Sequence, residues 1–176
     1  PKSVCKDSWA GSYDMSDWHY DWQNSVPKDN QEVMLTLGDI KHRADVLIGR
    51  TVTEFQRSDI SSKAFSDRNN FYFNLGYKVI WVFDFREQFA SGRLCFDSDR
   101  KTFHWTKPRN TFNLYEIMTG QVELFFQLED DGENALVKIA NVSPSGFEQF
   151  TVSNWFSKDQ FLKYLGIHNG CCAAPN

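Results

Sequence analysis

Features that mark special classes of protein are missing from this sequence. No segment approaches the ~20 consecutive apolar residues that a membrane-spanning helix needs, so we expect no membrane partner. Residues 1–5 contain no apolar segment, and a secretory signal is therefore not expected. Internal repeats, low-complexity tracts and proline-rich linkers are absent as well. With 176 residues, the chain is predicted to form a single domain over residues 1–176.

Cysteine is scarce, with four residues in the chain. Four scattered cysteines are too few for a disulfide-stapled domain of this length. Cys171 and Cys172 are adjacent, whereas the paired cysteines of a zinc site are separated by two or more residues. Free thiols in a reducing cytoplasm are the preferred interpretation, and we expect a cytoplasmic protein. A zinc-bound structural module built from Cys5, His168, Cys171 and Cys172 remains an alternative.

Positive charge is not in excess, because 19 basic residues face 23 acidic ones and the net charge is −4. A protein that coats nucleic acid through charge alone is normally basic, so that class is disfavoured. An enzyme whose bound divalent cations supply positive charge locally is still allowed. Aromatic residues, by contrast, are abundant at 16% of the chain, which predicts a core rich in aromatic rings.

Local patterns in the first half of the chain predict an α/β fold with a mixed sheet. The near-continuous apolar run over 77–83 is typical of a strand buried on both faces. A helix precedes this run and a strand precedes the helix, so the two strands should be parallel neighbours. Residues 15–85 are predicted to form a core with the order helix–three-stranded meander–helix–strand. Its elements are a helix over 15–23 capped by Ser16, strands over 32–37, 42–48 and 51–56, a helix over 61–75 capped by Ser61 or Ser62, and a strand over 77–83.

The second half, residues 86–176, is predicted to be a β-rich C-terminal extension of the same domain. One hairpin is expected from strands over 94–96 and 102–106, and a second from strands over 122–128 and 135–140. Ser157 and Gln160 have the spacing of a capping box, which predicts a last helix that ends near Gly166.

The most informative feature is the hairpin turned by Gly49 and Arg50. A glycine at the first loop position suits a two-residue type II′ turn, which makes Ile48 the partner of Thr51. The same register puts Asp45 directly across from Glu54. Because strand side chains alternate between faces, one face is predicted to carry Arg43, Asp45, Glu54 and Gln56, and the opposite, core-facing side Ala44, Val46, Ile48 and Phe55.

Two carboxylates that face each other across a strand pair repel and destabilise the sheet. A captured Mg²⁺ or Mn²⁺ ion would relieve this repulsion, because such ions prefer carboxylates together with water and substrate phosphates. A structural role is the alternative, in which Arg43 neutralises both Asp45 and Glu54.

Short motifs over residues 15–84 occur in an order and spacing that resemble a known family. They are Trp18-His19 with Trp22, the Arg43-Ala44-Asp45 run, the E-x-Q-x-S-x-I-S run over 54–61, then Arg68, Tyr72 and the run over 76–83. This set resembles the competence protein CoiA-like nuclease domains of the PD-(D/E)XK (restriction-endonuclease-like) superfamily. No motif of this kind covers the C-terminal half.

The resemblance implies a metal-dependent nuclease that hydrolyses phosphodiester bonds of nucleic acid, with DNA as the expected substrate. Asp45 and Glu54 would bind the ion and act in catalysis, together with Gln56 and His19. Gln56 stands where the superfamily most often has lysine, and a neutral amide supplies no positive charge. Residues expected to contact substrate are Arg43, Ser58, Arg68 and Tyr72.

Two questions stay open at this point. The resemblance also implies a further acidic ligand from the first helix or strand, and the sequence does not choose among Asp17, Asp21 and Glu32. The alternative function is a non-catalytic domain that keeps the nuclease-like fold and binds nucleic acid or protein. Its motivation is the negative net charge together with the glutamine at position 56.

Overall fold

Nine strands form one mixed sheet in the computed structural model, which describes residues 17–106, 108, 112, 117, 120–143 and 146–167. The strand order is β1-β2-β3-β4-β7-β8-β9-β6-β5. The described elements are α1 (Asp17–Gln23), a 3-10 turn (Lys28–Asn30), β1 (Gln31–Leu37), β2 (Ile40–Ile48), β3 (Thr51–Gln56), α2 (Ser62–Asn74), β4 (Lys78–Asp84), α3 (Arg86–Ala90), β5 (Leu94–Asp97), β6 (Thr102–Trp105), β7 (Val122–Gln127), β8 (Leu136–Ser143), β9 (Gly146–Phe156) and α4 (Lys158–Tyr164).

The first half has the predicted helix–meander–helix–strand order. Strands β1, β2 and β3 form an antiparallel meander, and β4 lies parallel to β3. Ser61 is the residue that caps α2, because its side chain accepts a hydrogen bond from the Ala64 N–H at 3.2 Å. Gly76 ends the helix with a left-handed φ of 77°. The predicted cap Ser16 of α1 lies outside the described residues.

The second half continues the same sheet. β7 runs parallel to β4 on the side away from β3, so β4 is a central strand. The two predicted hairpins are confirmed as β5–β6 and β7–β8, and the capping box of Ser157 and Gln160 is present at the start of α4. The strand β9 and the short helix α3 are not among the predicted elements.

The sheet separates two hydrophobic clusters. Phe65 and Tyr72 of α2 pack with Trp81 of β4 on one face, while Trp22 of α1 and Phe161 of α4 pack on the other. Successive residues of β4 belong to alternate clusters, so this strand is buried on both faces as its apolar run predicts. The central strands are therefore covered by helices on both sides.

One prediction about the hairpin faces is wrong. Ala44 belongs to the α2 cluster, whereas Val46, two residues further along β2, belongs to the α1 cluster. The alternation of side chains is broken between them, at Asp45. The neighbouring strand explains the break, because Glu32 lies between the partners of Val46 and Ala44 and has a left-handed φ of 51°.

Candidate metal centre

Three side chains from three consecutive elements meet beside this break in the sheet. His19 of α1, Glu32 of β1 and Asp45 of β2 each offer a ligand atom, and these atoms all lie within 4.8 Å of one another. The His19 Nε2 atom is 3.2 Å from Asp45 Oδ1. His19 and Asp45 are buried, and Glu32 is half-buried. We refer to His19, Glu32 and Asp45 as the ligand triad.

The position of Asp45 follows from the way in which β2 and β3 pair. The predicted register is confirmed near the turn, where Ile48 pairs with Thr51, and the pairing continues to Val46 and Thr53. At the next position Asp45 does not pair directly with Glu54. Its Oδ2 atom instead accepts a hydrogen bond from the Phe55 N–H at 2.8 Å, so the carboxylate takes the place of a backbone partner.

Glu32 is held by two polar contacts that aim its carboxylate at the other ligands. Gln23 Nε2 donates to Glu32 Oε1 at 2.5 Å, and Arg43 Nε lies 2.6 Å from Glu32 Oε2. The same Gln23 nitrogen is 3.2 Å from His19 Nε2. Of the three acidic candidates from the N-terminal elements, Glu32 is thus the one in the ligand triad.

Electrostatics favours the protonated form of His19 when no cation neutralises its neighbours. Burial lowers the pKa of the imidazole, but the hydrogen bond to Asp45 and the charges of Asp45, Glu54 and Glu32 raise it above its ordinary value. A metal ion binds the neutral imidazole, so it would compete with this proton.

Glu54 lies close to the triad but has other partners. Its Oε2 atom accepts from Arg68 Nη1 at 2.7 Å, and its Oε1 atom accepts from the Tyr72 hydroxyl at 2.5 Å. Burial and the charge of Asp45 raise the pKa of Glu54 to about 7, against the opposing effect of Arg68 and Tyr72. Arg68 and Tyr72 are one helical turn apart on α2, as their spacing predicts. The structure therefore brings both to Glu54.

The remaining predicted site residues lie at the end of β3 and on β2. Gln56 Nε2 donates to the backbone oxygen of Ser58 at 2.8 Å and to its hydroxyl at 2.9 Å. Arg43, whose side chain is 49% exposed, forms the ion pair with Glu32. The contact of Gln23 with Glu32 and His19 is not predicted from the sequence. The only sequence feature that indicates it is the spacing of four residues between His19 and Gln23, which places both on one face of the helix.

The donor set of the triad fits a single divalent cation. One imidazole nitrogen and two carboxylates, whose ligand atoms are separated by no more than 4.8 Å, match the nitrogen and oxygen ligands that divalent metal ions accept in proteins. Two of the three ligands are buried, which shields the site from bulk water.

Fold and site together define a mixed α/β domain with a candidate metal centre where α1 meets the first strands. The family model described as competence protein CoiA, nuclease-like domain, matches residues 20–160. The chain belongs to this family, and the match extends well beyond the motifs over 15–84. No curated protein and no solved structure matches the chain significantly. Among the described residues, none of the helices has the length and apolar character needed to cross a membrane.

Proposed function

We propose that this chain is a divalent-metal-dependent nuclease with a restriction-endonuclease-like core, which hydrolyses phosphodiester bonds of DNA. The observation that carries the proposal is the ligand triad within a domain of the nuclease-like family. Its imidazole favours Mn²⁺ over Mg²⁺, because magnesium prefers an all-oxygen environment. A cytoplasmic location, expected from the cysteines, remains a prediction.

His19, Glu32 and Asp45 would hold the ion, which supplies charge neutralisation and activation of water at the scissile phosphate. Glu54 lies next to Asp45, and it would join the ligands if the ion replaced its hydrogen bonds to Arg68 and Tyr72. Arg68 and Tyr72 would then contact substrate.

Gln56, Ser58 and Arg43 are proposed to orient the DNA backbone. Gln56 and Ser58 are linked by hydrogen bonds at the end of β3, so the pair can present amide and hydroxyl groups to phosphate oxygens. Arg43 is about half exposed and carries the positive charge that Gln56 lacks.

The test is cleavage of single- and double-stranded DNA in the presence of Mn²⁺. The Asp45→Asn variant should lose about 100-fold or more of the activity, because the metal contributes several kcal/mol of charge stabilisation. Asp67→Asn, which changes an exposed carboxylate of α2 paired with Lys63, is the matched control and should cleave normally. Equal cleavage by wild type and Asp45→Asn would show that the site is wrongly assigned.

A non-catalytic binding domain is the second candidate, and the hydrogen-bonded Gln56 at the usual lysine position favours it. Calorimetric titration with Mn²⁺ separates the two functions. DNA binding in a chelator, without any binding of Mn²⁺, supports the second candidate.

A further inference from the structure

The helix that carries His19 is anchored to a strand more than 100 residues away. Trp18 Nε1 donates to Gln127 Oε1 at 2.7 Å, and Trp22 Nε1 donates to the same oxygen at 2.8 Å. Gln127 is the last residue of β7 and is only 4% exposed. The two indoles and this amide therefore form a buried polar junction between α1 and the sheet.

Every side-chain nitrogen and oxygen of the junction has a hydrogen-bond partner, and the Gln127 amide has a defined orientation. An amide oxygen has two lone pairs, which is the number of indole donors that reach Gln127 Oε1. Gln127 Nε2 in turn donates to the backbone oxygen of Glu129 at 2.9 Å, which fixes which end of the amide faces α1. The backbone of Gln127 is held as well, because it pairs with Asp84 of β4 and Leu136 of β8.

Directional contacts of this kind matter because α1 is short. A helix of seven residues has little intrinsic stability, so its rotation and axial position depend on what it packs against. Trp22 stacks on Phe55 at a centroid distance of 5.1 Å, which buries the helix but allows sliding of one ring over the other. Two hydrogen bonds from Trp18 and Trp22 to one atom remove that freedom.

His19 follows Trp18 directly, and Gln23 follows Trp22 directly. The rotation of α1 that places both indoles on Gln127 therefore also sets the directions of the His19 and Gln23 side chains. His19 contacts Asp45, and Gln23 contacts Glu32. We propose that Gln127 is a positioning residue for the ligand triad, acting through α1 on His19. The inference rests on the proposed function and adds to it that the metal centre depends on the C-terminal half of the chain.

A double-mutant cycle on Mn²⁺ affinity tests the proposal, with Gln127→Leu, His19→Ala and the double variant measured by calorimetry. Loss of a group that orients a metal ligand typically weakens metal binding about 10- to 100-fold, and we expect that range for Gln127→Leu. In the His19→Ala background the same change should cause no further loss. Wild-type affinity in Gln127→Leu, or an equal loss in both backgrounds, would overturn the proposal.

Two further variants separate positioning from general stability. Leu124→Val alters a buried residue of the same strand whose side chain belongs to the opposite cluster, so its Mn²⁺ affinity should be unchanged. Gln127→Glu keeps an oxygen acceptor for both indoles, and burial favours its protonated form, which can donate to the Glu129 backbone oxygen as the amide does, so it should restore part of the affinity that Gln127→Leu loses. If Gln127→Leu does not fold, Trp22→Phe removes one hydrogen bond, retains the ring and takes its place in the cycle.

A measurement on the metal-free protein distinguishes failure of the proposed nuclease function from failure of the positioning role of Gln127. In the apo protein, Gln127→Leu should shift the NMR signals of the His19 ring and of both indole N–H groups, whereas Leu124→Val should leave the His19 ring signals in place. If the wild type binds no Mn²⁺, the proposed function fails while these shifts still decide the role of Gln127. Unmoved His19 signals in Gln127→Leu would refute the positioning role whatever the metal titration shows.

Discussion

Glu32 is a candidate metal ligand, and its backbone has an unfavourable conformation. Its φ of 51° lies in the left-handed region, which costs a residue with a Cβ atom roughly 1–2 kcal/mol. Strain of this kind at a polar cluster is typical of functional sites. The surrounding contacts with Gln23 and Arg43 hold the residue in place.

We expect Glu32→Gly to be more stable than Glu32→Ala by about 1 kcal/mol, because glycine adopts a left-handed φ without steric cost. Elsewhere in a strand the order is reversed, since glycine loses more conformational freedom than alanine. Both variants lack the carboxylate and should bind Mn²⁺ more weakly than the wild type. Urea unfolding measures the first effect and calorimetry the second. Greater stability of the alanine variant would mean that position 32 is unstrained.

The burial of Glu54 beside Asp45 couples stability to pH. Glu54 has a pKa of about 7 in the folded protein, above its ordinary value of 4.5, so the folded state binds this proton more tightly than the unfolded state does. The contribution of Glu54 to stability is therefore fully present below pH 4.5 and is lost as the pH rises through 7. Arg68 limits that loss by pairing with the carboxylate at 2.7 Å.

Arg68→Leu should lower the free energy of unfolding at pH 8 by about 1–2 kcal/mol, because without its cation the buried Glu54 takes up a proton and loses the roughly 1.4 kcal/mol that favours its ionised form one pH unit above its pKa. At pH 5 the loss should be clearly smaller, because Glu54 is then protonated. Lys63→Leu, which breaks an exposed ion pair on the same helix, is the control and should change stability by no more than about 0.5 kcal/mol at either pH. Denaturant unfolding at the two pH values measures both. An equal loss at pH 5 and pH 8 for Arg68→Leu would contradict the assigned coupling.

At the scale of elements, the sequence predicts the turns, helices and strands whose conformation depends on residues close together in the chain. The type II′ turn is an example, because Gly49 has a φ of 57° and Arg50 is not among the residues with positive φ. The helix α2, the buried strand β4 and the capping box of α4 also follow from spacing within a few residues. The hairpin of β2 and β3 places Asp45 and Glu54 near each other, and the sequence predicts that much of the site.

What the sequence does not predict depends on distant contacts or on broken periodicity. The pairing of β8 with β9 shifts register at several points, which obscures the alternation that identifies a strand. The left-handed Glu32 breaks the alternation that the predicted faces of β2 require. Gln127 is separated by 109 residues from Trp18, and no local pattern links a glutamine to two distant indoles.

At the scale of the whole molecule, all the described strands belong to one sheet, and the first half of the chain therefore depends on strands from the second half. The predicted core over 15–85 ends with β4, whose outer edge pairs with β7 over six residue positions. β7 also contributes Phe125 to the α1 cluster and Phe126 to the α2 cluster. Without it, β4 would expose an unpaired edge and lose packing on both faces, while α1 would lose Gln127.

We therefore expect residues 1–85 alone not to fold cooperatively, although they contain the whole ligand triad. The measurement is thermal unfolding followed by circular dichroism together with the dispersion of amide NMR signals, with the full chain as reference. Co-expression of residues 86–176 supplies β7 in trans and should restore both the dispersion and the binding of Mn²⁺, since an unpaired strand edge is a template for the missing strand. A dispersed spectrum and a sharp transition for residues 1–85 would instead show that the metal centre is built by the first half without help from β7.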